Sequence, residues 1–534
     1  MSYPTETISI KYSEPAQQSK TEAKKIFDDG LGNVRHYHYY FWFFILIHTL
    51  LWTLGPSLLR PTVSHDTLEG ITWGLQWQLG YNKHPFLTAW LCAGVTKLFG
   101  SVGWPVYLLA QLAISVTFIA VWKLARQILP LRHAFIATLG LEGVLFYNIN
   151  SFNFTPDTLQ SPLWALLSLF FYRALTRQNV INWLCTALFA ALCVCTKYQV
   201  ALLFLPMFLL CLFNPLARKS FAKPGIYYAL ITFFFLIVPH LIWLYQHHFI
   251  TLTYASEISS DYTQNKTFFN HFHHPLGFII NSIVDVFGLF ILLWPFYNKN
   301  KTQLQLDFFQ WQFLIFLGLG PLILSLTLCI LTGNYFPPRW STPYFFASGI
   351  LAIAYLSPAL SKKNLRQFVT TLILFSSFLF IARMSTLTFI PRSSSDAFLP
   401  NRQIALSLSK LWREKYHIPL PFLAGSNYLV TGVIPYMRDN PTPYLNWKPE
   451  DSPWINEKEL HQQGGLFIWD EGGYYTWDKE SMAHTHLPKM ILERFPKLKR
   501  IPDYIFYRLS DNQPVVIGIA ILPPDSYSYP NMKK

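Results

Sequence analysis

Asp66 and Glu69 stand three residues apart in the stretch His65-Asp-Thr-Leu-Glu-Gly-Ile-Thr-Trp73. The three- and four-residue spacing of Asp66, Glu69 and Trp73 predicts a short amphipathic helix carrying both carboxylates on one face. A carboxylate so placed can take the proton of an attacking hydroxyl. Tyr81-Asn-Lys-His-Pro85 follows, where Pro85 breaks the helix and Lys83 and His84 add one fixed and one titratable cation. A further acid, Asp157, follows Pro156 at the head of an apolar run. Its plain reading is a helix start, because Asp favours the first turn. Lys197 lies between two apolar runs with Tyr198 beside it, and Arg339 precedes Trp340 in a proline-rich stretch. Lys83, His84, Lys197 and Arg339 together make a cation set that can neutralise a phosphate or diphosphate. The competing reading is an interfacial loop whose charged ends reach out to water.

The elements that must hold these residues are apolar. Of 534 residues, 13% are charged, 52% hydrophobic and 17% aromatic, and only 6 are cysteines. A globular chain carries about 25% charged residues, so a soluble enzyme of ordinary type is excluded, as are disorder and a disulfide-stapled module. The pattern predicts an all-α polytopic membrane domain. Apolar runs fall at 40–59, 104–125, 133–149, 158–175, 180–195, 198–213, 226–245, 276–296, 309–332, 342–358 and 367–387, about eleven spans of membrane-crossing size. Residues 198–213 and 180–195 are separated only by Thr196 and Lys197 and can form one broken hairpin.

Charge supports an orientation. With the 1–40 tail in the cytoplasm, basic clusters fall in alternate loops: Lys123, Arg126 and Arg132; Arg173 and Arg177; Arg218, Lys219 and Lys223; Lys299 and Lys301; Lys362, Lys363 and Arg366. The net charge of +14 follows from such loops, and no basic stripe on a soluble segment points to nucleic acid. This orientation puts Asp66, Asp157, Lys83, Lys197 and Arg339 on one outer side. Charges at a lipid boundary are costly unless paired or used. Beyond Phe389, residues 390–534 are polar and rich in Pro, Gly, Trp and Asp, which predicts an outer α/β domain. Strands are expected near Pro421–Ala424, Gly465–Trp469, Tyr504–Arg508 and Val515–Leu522, with a helix near Asn427–Met437. The division is thus 1–40, 41–389 with an outer loop at 60–103, and 390–534.

Several chemistries lack their residues. The six cysteines sit in apolar stretches without zinc spacing, and no glycine-rich cofactor loop, Walker loop or Gly-x-Ser-x-Gly elbow occurs. His247, His248, His271, His273 and His274 crowd the 246–275 loop but lack a defining ligand pattern, so a divalent metal is an open expectation and no cofactor is assigned.

At these residues the chain resembles the GT-C membrane glycosyltransferases, in the branch with protein O-mannosyltransferases and bacterial lipopolysaccharide-modifying aminoarabinose transferases. The resemblance covers roughly residues 40 to 390. It rests on His65-Asp-Thr-Leu-Glu69, Gly80-Tyr-Asn-Lys-His-Pro-Phe-Leu87 with Trp90, Phe99-Gly100, Pro156-Asp157 with Trp164 and Phe171-Tyr-Arg-Ala-Leu175, Thr196-Lys-Tyr198 and Arg339-Trp340, in that order. It implies a GT-C fold with a periplasmic C-terminal domain. It further implies inverting transfer of a sugar from a polyprenyl-phosphate donor to lipid A, lipopolysaccharide core or a related envelope acceptor, by a monomer in a bacterial inner membrane. Asp66 becomes the general base, with Asp157 and Glu69 as accompanying acids; Lys83, His84, Lys197 and Arg339 bind the donor phosphate; Tyr81, Tyr198 and Trp340 contact substrate.

Two positions depart from the family pattern. Thr67 stands where many relatives carry Glu after the first acid, which weakens a metal-dependent variant, and His84 stands before the proline where aminoarabinose enzymes carry Lys. The rival functions are a lipid-linked sugar carrier, a protein O-glycosyltransferase and a silent scaffold. Against the carrier, no self-similar halves occur and the candidate charges lie at the outer boundary rather than at mid-membrane.

Overall fold

A computed structural model describes residues 34–254, 267–297, 301–302, 304–389, 396–475 and 486–525. Most of the expected cytoplasmic tail, and Lys299, lie outside the described residues. Among the described residues, six helices are long and apolar enough to cross a membrane: Arg35–Leu59, Trp104–Ile128, Pro224–Gln246, Asn270–Phe296, Phe308–Thr332 and Lys362–Phe389. Tyr198–Phe213 and Pro215–Ala222 form a further apolar pair bent by 89°. Their lipid-facing rows, such as Phe234, Phe235 and Ile231, are exposed in the protein alone, as a hydrocarbon surround requires.

The remaining expected spans take other forms, for local reasons. The run 133–149 becomes the helix Leu131–Leu139 and two 3-10 turns, because Gly140 and Gly143 interrupt it. The run 342–358 becomes a 3-10 segment Pro338–Ala347 and a nine-residue helix Ser348–Leu356, as Pro338 and Pro343 remove backbone donors. Pro156–Arg177 is a 22-residue helix whose interior is mostly buried among its neighbours. Val180–Val194 is a 15-residue apolar helix, shorter than a full span. At the 140–143 break, the buried Glu142 carboxylate meets His48 of the first helix, Nδ1 to Oε2 at 3.1 Å, which gives an intramembrane carboxylate a partner.

The C-terminal part folds around a mixed sheet ordered β2-β1-β3-β5-β4. The strands are β1 Phe422–Gly425, β2 Thr442–Leu445, β3 Gly465–Asp470, β4 Lys499–Tyr507 and β5 Pro514–Leu522. β1 pairs parallel with β2 and β3, and β5 pairs antiparallel with β3 and β4. Central β3 is buried at all six positions, in keeping with cover on both faces. One cover is Glu457–Gln463 with Lys489–Arg494. The other includes Asn401–Tyr416, the helix Asn427–Val433 and, from the 60–103 loop, Trp73, Tyr81 and Ala89. The loop therefore shares a hydrophobic core with the sheet domain. It is more than a connection between spans.

Close approach inside the bundle depends on Gly143. A Cβ there would lie 2.2 Å from the Leu289 amide nitrogen and 2.4 Å from the Gly288 carbonyl carbon, so backbone would have to move. Gly143→Ala should destabilise the protein by about 1–3 kcal/mol, the usual cost of overpacking. The check is thermal unfolding in detergent beside Gly94→Ala, where nothing lies within 4 Å and no loss is expected.

Candidate active site

The loop helix His65–Gly74 starts at Ser64, whose carbonyl accepts from the Thr67 and Leu68 amides, and puts Asp66 in its first turn. Its two acids part company. Asp66 is half exposed, with Oδ2 3.5 Å from Nη1 of Arg339, which is also half exposed. Glu69 is buried, and its Oε1 accepts from Lys83 Nζ at 2.7 Å and from Asn427 Nδ2 at 2.6 Å. Three residues of helix leave the two side chains about 60° apart on the same side, and that offset at the edge of the buried face puts Glu69 against the sheet domain while Asp66 stays open. The single acidic face expected from spacing is thus split between two environments.

The segment from Gly80 to Pro85 closes as a bridge between those two residues, with the Tyr81 amide donating to the His84 carbonyl at 3.0 Å. Tyr81 is fully buried and stacked on Trp73 at 5.4 Å, so it packs the base of this turn. Lys83 lies 5.8 Å from the ring centres of both Trp73 and Tyr254. Burial alone would lower its pKa, but the Glu69 carboxylate outweighs that and holds the ammonium above the ordinary lysine range. Burial raises the Glu69 carboxyl, yet Lys83 and His65 more than compensate and keep it ionised. His84 is held well below the ordinary imidazole range by burial and then by the charges of Lys197, Lys83 and Arg339. It is a neutral imidazole at neutral pH.

Lys197 sits in the turn between Val180–Val194 and Tyr198–Phe213. That turn is tied down by Gln160, whose Nε2 donates to the Cys193 carbonyl at 2.9 Å, and by the Leu87 amide donating to the Cys195 carbonyl at 2.9 Å. The Lys197 ammonium meets Asp157 Oδ1 at 2.5 Å and lies 5.1 Å from the Trp340 ring centre. Asp157 is nevertheless also a helix-start residue, with Thr155 as the side-chain cap. The Trp340 carbonyl accepts from Gln199 Nε2, which joins the Arg339 segment to the Lys197 turn. Tyr198 Oη lies 2.7 Å from His240 Nε2, and His240 Nδ1 lies 2.6 Å from the Leu79 carbonyl. A carbonyl only accepts, so Nδ1 donates and Nε2 accepts the tyrosine hydroxyl. Tyr198 thereby braces the first loop.

The structure gathers Asp66, Asp157, Lys83, His84, Lys197, Arg339 and Trp340 into one charged cluster that is open to solvent at Asp66 and Arg339, with Glu69 and Tyr81 buried behind it. Among the described residues, no group of three or more His, Cys, Asp or Glu side chains comes together to hold a metal, and Asp66 and Glu69 face apart. His271 and His274 instead face the Ile330 and Gly333 carbonyls. Sequence reasoning missed Asn427, which is 358 residues from Glu69 and carries no local signal. It also missed His65, whose Nε2 lies 3.0 Å from Thr431 Oγ1 and whose ring stacks on Tyr428 at 3.6 Å.

Residues 83–243 match the family model of dolichyl-phosphate-mannose-protein mannosyltransferase. By structure the chain is similar to ArnT from Cupriavidus metallidurans bound to undecaprenyl phosphate, with a TM-score of 0.58, 13% identity, and 89% of this chain and 97% of that one covered. The apo form of the same ArnT matches with a TM-score of 0.53 and 12% identity over the same shares. No curated protein matches in sequence. The chain has the GT-C fold, with a small C-terminal sheet domain, and is a multi-pass membrane protein.

Removing the Glu69 charge leaves burial as the main influence on Lys83. In Glu69→Gln the Lys83 pKa should therefore fall, and acetylation of its amine at pH 8, followed by peptide mass spectrometry, should rise several-fold. Unchanged labelling would contradict the assignment of Glu69 as counter-ion.

Proposed function

We propose that the chain is an inverting glycosyltransferase that moves a sugar from a polyprenyl-phosphate donor to lipid A, lipopolysaccharide core or a related envelope acceptor. The observation that carries this reading is the contrast among three acids beside four potential phosphate ligands. Asp157 and Glu69 are each held by a lysine in a largely buried pair, whereas Asp66 is half exposed and meets the equally exposed Arg339 at 3.5 Å, a pair that a substrate can displace. The fold shared with an ArnT bound to undecaprenyl phosphate supports the choice of lipid carrier.

In this reaction the acceptor oxygen attacks the anomeric carbon as its proton passes to Asp66. The new carbon–oxygen bond forms as the bond to the phosphate oxygen breaks, and the polyprenyl phosphate leaves with the electron pair. Lys83, Lys197 and Arg339 stabilise that growing charge. Neutral His84 donates a hydrogen bond without adding charge. Asp157 holds Lys197, Glu69 holds Lys83, Trp340 walls the sugar side, and Tyr198 braces the first loop through His240. The Asp66–Arg339 pair is long and half exposed, so breaking it to admit substrate costs about 0–1 kcal/mol.

The site is assigned to the periplasmic side of a bacterial inner membrane, with the N-terminus cytoplasmic and residues 390–534 forming the periplasmic domain; the basic loop clusters support this. The enzyme is assigned as a monomer. A protein acceptor is the second reading, favoured by the description of the matching family model.

Cells lacking the gene, restored with wild type, and restored with Asp66→Asn separate these readings. Mass spectrometry of lipid A and core oligosaccharide should show a sugar that wild type restores and Asp66→Asn does not, since loss of a general base costs about 10²–10⁴-fold in rate. Unchanged glycolipids with a glycan missing from envelope proteins would favour the protein acceptor.

A further inference from the structure

We propose that the C-terminal sheet domain sets the position of Lys83, through Asn427 and Asp451, and so completes the phosphate site from outside the membrane bundle. The proposal rests on reading Lys83 as a phosphate ligand and assigns the domain a part in that site.

Two grips meet at Lys83. On one side, Asn427 Nδ2 donates at 2.6 Å to the same Glu69 oxygen that receives the Lys83 ammonium at 2.7 Å. On the other, the neighbouring Asn82 donates through Nδ2 to Asp451 Oδ1 at 3.3 Å. Asn446 links the two grips. Its Oδ1 accepts from the Asn427 amide at 2.8 Å, and its Nδ2 donates to Asp451 Oδ2 at 2.9 Å. Asn446 has φ of 51°, a left-handed conformation that Asn adopts more readily than most residues. The contacts thus run as a closed ring from Asn427 through Asn446, Asp451, Asn82, Lys83 and Glu69 back to Asn427.

Adhesion alone does not require this ring. Trp73 and Tyr81 already bury themselves in the same core as Leu423, Ile468 and Ile517 of the sheet. Asn427, Asn82 and Glu69 are each more than nine-tenths buried, and buried polar groups lose hydration that only directed bonds return. What the ring adds is direction. A carboxylate oxygen held by Asn427 cannot follow Lys83 as it moves, so the ammonium is confined to one place in the cluster. Asn427 and Asp451 act through Glu69 and Asn82, and are positioning residues.

The test uses the full chain in lipid nanodiscs, with undecaprenyl phosphate as the probe, in wild type, Asn427→Ala, Lys83→Ala and the double variant. Hydrogen exchange of the 75–86 segment is followed without lipid. Asn427→Ala should weaken undecaprenyl phosphate binding about tenfold when Lys83 is present and less than twofold when Lys83 is already Ala, and should speed exchange in the segment. Equal weakening in both backgrounds, or no weakening, would overturn the proposal, because a merely structural residue does not need Lys83. If wild type does not bind this lipid, the phosphate reading fails by itself, and unaltered exchange in Asn427→Ala would then remove the positioning as well. Should Asn427→Ala not fold, Asp451→Asn takes its place, with the same dependence on Lys83 expected.

Discussion

The site depends on where one ten-residue helix can rest. His65–Gly74 is too short to stand alone in water and too polar on two sides to enter lipid. It is stable because it is wedged between the bundle and the sheet domain. Thr67 donates to the Phe154 carbonyl on the bundle side, and Thr72 donates to the Thr431 carbonyl on the other. The His65 amide donates to Asp396 at 2.7 Å, which fixes the first turn and with it Asp66. Asp66 is thereby held at the cluster by bonds that do not use its own carboxylate.

Charge matching follows from that placement. Lys83 and Lys197 each carry a bound carboxylate, and Arg339 faces Asp66. Paired in this way, three cations can be kept close together at a low-dielectric boundary without strong mutual repulsion. On the proposed function, a phosphate arriving there would exchange one set of negative partners for another. The half-exposed pair is the least costly to open, which makes Arg339 the natural point of entry.

Much of this was legible in the sequence. Hydropathy located the long spans, because lipid-facing helices write their burial directly into composition. Loop charges put Asp66, Lys83, Lys197 and Arg339 on one side of the membrane, and the structure brings the four together. The interrupted segments at 133–149 and 338–358 were less legible, since buried apolar turns and spans have the same hydropathy; only Gly140, Gly143, Pro338 and Pro343 distinguish them. β2 at Thr442–Leu445 is four residues long and contains Pro443, so it gave no periodic signal. The expected strands near 422, 465, 504 and 515 are present, whereas the partnership of Glu69 with Asn427 depends on tertiary folding across most of the chain.

An electron cryomicroscopy structure of the protein in nanodiscs with undecaprenyl phosphate would show directly where the phosphate rests. Phosphate oxygens are expected at charge-assisted hydrogen-bond distance, about 2.7–2.9 Å, from Lys83, Lys197 or Arg339, with the Asp66 carboxylate open on the adjoining acceptor side. A phosphate bound away from all three cations, with Asp66 still paired to Arg339, would contradict that expectation.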